Sequence, residues 1–101
     1  MAFETYVAYR TRYKQVSNVS IPITHVDWNW EPGDVERATR IYITPYEAAV
    51  TVCWTGAPTA VVGHQIAAGA TMELTGGQNI QRLEIIRHDA TDTVVTITLE
   101  A

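Results

Sequence analysis

TVVTITLE (residues 93–100) alternates without a break, with Val95, Ile97 and Leu99 on one side and Thr96, Thr98 and Glu100 on the other. Successive side chains of an extended strand point to opposite faces, so this pattern predicts a strand with an apolar inner face and a hydroxyl-rich outer one. The chain before it reads the same way. HDATD (88–92) is a tight connection, and NIQRLEIIRH (79–88) is a predicted strand whose two faces are both mixed. TGG (75–77) signals a turn, and TAVVGHQIAAGATMELT before it predicts two short strands around Gly63 and Gly69. TGAP (55–58) punctuates the chain after AAVTVCW (48–54) and RIYITPY (40–46), both rich in β-branched and aromatic residues. Pro45 lies between those two and fits a break or a bulge, because proline removes a ladder hydrogen bond. Helix is confined to DVERATRI, which supports a single turn capped by Asp34.

Short strands with turn signals every ~8–12 residues predict an all-β fold, a small β-sandwich of jelly-roll or immunoglobulin-like type. The 101 residues make one domain, here residues 21–101, and residues 1–20 stand apart. YVAYRTRYKQVSNVS has strand propensity but no apolar stripe, and it carries Tyr6, Tyr9 and Tyr13 with a basic cluster of Arg10, Arg12 and Lys14. Two forms are open for it: an extended N-terminal arm that serves attachment more than folding, or an edge strand of the sandwich, with Phe3 to Tyr9 integral to it. As an arm it would meet an acidic or strand-edged partner through its tyrosines and cations.

HVDWNWEPGDVE (25–36) looks most like a site, with two tryptophans among four carboxylates. Asp27, Asn29 and Glu31 imitate the first ligands of a calcium loop. Pro32 and Ala38 then occupy the positions that require glycine and a bidentate carboxylate. A period-2 strand would turn Trp28 and Trp30 the same way, where two indoles cover a core or a subunit interface, or else form a sugar-stacking platform. EPGD is ordinary turn chemistry, so the stretch is predicted to be a strand ending in a turn, with its tryptophans facing protein.

Catalytic and metal patterns are not found in the sequence. His25, His64 and His88 are dispersed, Cys53 is the single cysteine, and no ligand spacing for zinc arises. Cys53 fits a small buried strand hydrophobe and cannot form an internal disulfide. No pair of the eleven acids is singled out for glycosidase chemistry, and Ser17 and Ser20 lack nucleophile-elbow glycines. No catalytic residue, cofactor site or metal site is therefore expected, and the chain is not expected to be an enzyme. Residues 1–26 set Glu4 against three cations, whereas residues 27–101 set ten acids against four arginines. So anionic a body disfavours nucleic acid. No apolar run approaches the ~20 residues of a membrane helix, and MAFETYVAYR lacks the apolar core of a signal peptide. Neither membrane nor export is expected.

One resemblance adds to these readings. Gly63, Ile66, Gly69, Thr71, Glu73 and Leu74, then Ile80, Leu83, Ile86 and Arg87, then the Val94–Leu99 strand, follow a frame that resembles the ending of many small structural proteins of tailed bacteriophages. It covers roughly forty residues. The resemblance implies a virion component assembled in the host cytoplasm, of the capsid decoration (cement) type. It implies the major capsid protein and further copies of itself as partners, most simply a homotrimer. Tyr6, Tyr9, Arg10, Arg12, Tyr13, Lys14, Trp28 and Trp30 are the candidate interface residues. A tail, baseplate or head–tail connector component is the alternative, as is a carbohydrate-binding module using Trp28 and Trp30.

Overall fold

Strand pairing follows a single rule. The computed structural model describes residues 6–101 and contains eight strands: β1 (Ala8–Val16), β2 (Ile21–Pro22), β3 (Arg40–Pro45), β4 (Val50–Cys53), β5 (His64–Ile66), β6 (Met72–Thr75), β7 (Glu84–Arg87) and β8 (Thr93–Glu100). β1 pairs with β8, β2 with β7, β3 with β6 and β4 with β5, all antiparallel. These pairs nest inside one another like one long hairpin. Two further antiparallel joins, β3 with β8 and β4 with β7, roll that ribbon into two four-stranded sheets, ordered β1-β8-β3-β6 and β2-β7-β4-β5. The result is a β-sandwich with the strand order of a jelly roll.

The core lies between the sheets. Ile41, Ile43, Leu74, Val95, Ile97 and Leu99 from the first sheet form one buried cluster with Val50, Val52, Ile66 and Ile85 from the second. In β8 the inward residues Thr93, Val95, Ile97 and Leu99 are fully enclosed, while Val94, Thr96, Thr98 and Glu100 are only half-covered. β8 is central in its sheet, and its alternation is the period-2 pattern of the sequence in three dimensions. Pro45 ends β3 opposite Val95, and the next bond to β8 comes from the Tyr46 N–H, which donates to the Val94 carbonyl at 3.0 Å.

Three local expectations are corrected. The segment 79–88 is not one strand. Gly76, with φ +96°, opens the short helix α2 (Gly77–Gln81), and only Glu84–Arg87 is extended. Ile80 and Leu83 are three apart, a helical spacing, and both are buried. The second correction concerns residues 25–31. His25 Nδ1 accepts the Asp27 N–H and starts a 3₁₀ turn over Val26–Trp28, which Asn29 ends in the left-handed region at φ 58°. Third, the one-turn helix α1 (Asp34–Arg37) exists, but Gly33 is its cap residue and Asp34 its first residue.

Of the two forms open for residues 1–20, Ala8–Val16 takes the edge strand and not the free arm. β1 matches β8 along its length, and Val7 exchanges two further backbone hydrogen bonds with Ala101. The part of the expected Phe3–Tyr9 strand before Tyr6 lies outside the described residues. No regular apolar stripe marked β1, because its inward positions are mostly cationic. Arg10, Arg12 and Lys14 stand opposite Leu99, Ile97 and Val95, and only Val16 is a buried hydrophobe.

Candidate interaction surface

The cations of β1 meet the acids of the 25–36 segment inside the same chain. An extra residue between Ala8 and Arg10 breaks the register against β8, a β-bulge that brings both Tyr9 and Arg10 to Asp34. Arg10 Nε lies 2.8 Å from Asp34 Oδ2, and the Tyr9 hydroxyl donates to the Asp34 carbonyl at 2.5 Å. Asp34 Oδ2 also accepts the Glu31 N–H at 2.9 Å, so this buried carboxylate is both ion-paired and hydrogen-bonded. Burial, and then the nearby Asp34 charge, raise Tyr9 above its ordinary value, and Arg37 sits 4.2 Å over its ring. Arg12 donates to the Asn29 carbonyl and approaches Glu31 at 3.9 Å, while Lys14 lies 3.7 Å from Asp27. Asp27, Asn29 and Glu31 thus face cations of β1. Among the described residues no group of three or more His, Cys, Asp or Glu side chains could hold a metal ion.

The expected interface residues therefore divide. Trp28 is 1% exposed and belongs to the core, stacked on Trp30 at 6.1 Å, whose indole N–H donates to the Ile23 carbonyl. A sugar platform made of both indoles is lost with the burial of Trp28. Tyr9 and Arg10 are held at Asp34, and the Tyr6 ring lies 3.8 Å under the Arg40 guanidinium. Arg12 and Lys14 are half-covered. Tyr13 is different: it is 75% exposed on the outer face of β1.

Around Tyr13 the outer face of the first sheet is rich in hydroxyls. Thr96 and Thr44 follow Tyr13 across the sheet, and Thr11, Thr98 and Tyr42 make the next row. Thr11 bonds Thr98 at 3.0 Å, and Thr44 bonds Thr71 at 2.8 Å, which fixes these side chains against the strands. Sequence reading placed the threonines of β8 outside, but it could not see which neighbours they would join, because register is a long-range property. β1 is also poorly suited to accept another strand. Arg12 Nη1 donates to the Thr11 carbonyl and Lys14 Nζ to the Gln15 carbonyl, so side chains occupy part of its backbone, and its inward charges add to that protection.

The outer face of the second sheet is covered in part by the chain itself. Thr51 is buried, and its hydroxyl donates to the Ala60 carbonyl, which His88 Nδ1 also reaches at 2.6 Å. A carbonyl only accepts, so Nδ1 of His88 carries the proton. Gly63 passes so close that an added Cβ would lie 2.6 Å from the Val52 carbonyl oxygen. Val61 and Val62 project from this segment into solvent. Cys53 corrects its expectation as a buried hydrophobe: it is half-exposed, and its thiol lies 3.3 Å from the Thr55 hydroxyl. That hydroxyl, with the backbone N–H groups of Thr55, Gly56 and Trp54, lowers the thiol below its ordinary value. No helix is long and apolar enough to cross a membrane among the described residues.

No protein-family model, curated protein or solved structure matches this chain.

Proposed function

We propose that the chain is a structural protein of a tailed-bacteriophage virion, of the capsid decoration (cement) type, which attaches to the major capsid protein and associates with further copies of itself as a homotrimer. The observation that carries this reading is Tyr13: a large aromatic standing 75% exposed on a hydroxyl-rich sheet face, on a strand whose cations are all engaged within the chain. Tyrosine gives much contact area for little lost rotamer freedom and is enriched at interfaces. The C-terminal resemblance supports the virion. The jelly-roll order is compatible with it, although that architecture serves lectins and enzymes as well as capsids. The acidic surface keeps free copies soluble during assembly.

Attachment on this reading depends on contact area more than on charge. The basic cluster, expected to meet an acidic partner, already has Asp27, Glu31 and Asp34 opposite it. Tyr13→Ala should weaken attachment to the shell about tenfold without lowering the melting temperature. Raising salt should change attachment little.

Electron microscopy and quantitative mass spectrometry of purified particles test the role directly. Many copies on the head shell, in groups of three, are the expected result. Absence from the particle would remove the reading, and one small ring at the neck or tail would replace it with a connector. Sedimentation showing only monomers, both free and on particles, would remove the trimer.

A further inference from the structure

At one end of the second sheet lies a groove of about 440 Å³, in the size range of small-ligand sites. It is lined by Pro22 of β2, by Trp54 and Thr55 just after β4, by Gln81 and Arg82 at the end of α2, and by Glu84 of β7. The register sets Glu84 between Pro22 and Cys53, and the Ser20 hydroxyl donates to its carboxylate at 3.3 Å. The Trp54 ring is backed by His64, with centroids 4.8 Å apart and planes 10° from parallel, so the indole is held in a fixed plane.

Arg82 distinguishes the place. It is exposed, and its guanidinium has no hydrogen-bond or ion-pair partner among the described residues. Every other described cation lies against an acid or an aromatic ring.

We propose that this groove binds the ring of a neutral hexose, free or at the end of a glycan. A fixed indole offers its apolar surface to the C–H face of a pyranose. Glu84 accepts hydroxyl protons, Arg82 donates, and Gln81 and Thr55 do both. An anion would meet the Glu84 carboxylate and a cation would meet Arg82. A neutral polyol instead finds partners for both kinds of lone pair and proton. The site is separate from Trp28 and Trp30, and it stands whether or not the chain is a virion protein.

Titration of the ¹⁵N-labelled full chain with glucose, galactose, mannose and N-acetylglucosamine, and separately with inorganic phosphate, tests it. With at least one sugar, saturable shifts are expected at the Trp54 indole N–H and at the backbone of Gln81 to Glu84, in the millimolar range. Arg82→Ala and Glu84→Gln should each weaken that binding about tenfold. Arg82→Ala should do so with an unchanged melting temperature, which separates lost binding from lost folding. No saturable shift with any sugar, shifts confined to another surface, or a response to phosphate alone would each overturn the proposal, the last in favour of an anion site.

Discussion

Asp34 shows how one side chain can decide a local structure. Its backbone carbonyl takes the Tyr9 hydroxyl, and its carboxylate takes the Arg10 guanidinium and the Glu31 N–H. Asp34→Ala leaves Arg10 and Glu31 without that acceptor. The loss should show as a fall in melting temperature of about 10 °C by calorimetry. A change within a degree or two would mean that the contact contributes nothing. Cys53 gives a residue-scale prediction in pH. The hydrogen bonds that favour its thiolate act only in the folded chain, so they add stability that is complete above the thiol's unfolded value and is lost as pH falls through the lower, folded one. Iodoacetamide should therefore label folded protein at a lower pH than unfolded protein, and Thr55→Val should move the profile upward. Coincident folded and unfolded profiles would contradict the role of Thr55.

At the scale of elements, the strands of ordinary pattern were legible and the exceptions have physical causes. β8 and β3 carry apolar residues at every second position because both face a core, and their boundaries could be read directly. β1 faces the same core with arginine and lysine, which a periodicity search scores as polar. Its partners Asp27, Glu31 and Asp34 come from a distant segment, so the sequence showed a basic cluster and an acidic cluster without showing that they meet. The exposed Tyr13 was legible as an aromatic, but its exposure was not. Ile80 and Leu83 were misplaced on a strand because a turn of helix before a short strand imitates a mixed-face strand. From β1 follows a prediction about folding. A chain lacking residues 1–14 removes most of the strand that covers one side of β8, and should give no cooperative thermal transition. A truncated protein that melts like the full chain would make β1 an accessory.

For the whole molecule, Asp27, Glu31 and Asp34 of the 25–36 segment are directed to cations of the chain and not to a shared centre. EDTA should leave the melting temperature unchanged, and a clear downward shift would restore Asp27, Asn29 and Glu31 as metal ligands. The nested pairing has a further consequence, one of time. Closing a loop costs more entropy the longer it is, by about 0.6 kcal/mol for each doubling. β4 and β5 are joined by residues 54–63 alone, whereas β1 and β8 are separated by residues 17–92. The ribbon should therefore zip from its inner end outward, each pair shortening the loop left for the next, with β1 docking on β8 last. In a kinetic mutant series, Val52→Ala should slow folding, whereas Val16→Ala should mainly speed unfolding. The reverse pattern would place the nucleus at the outer pair. On a ribosome β1 emerges well before β8, so it waits through the synthesis of residues 17–92 for its ladder partner among the described strands.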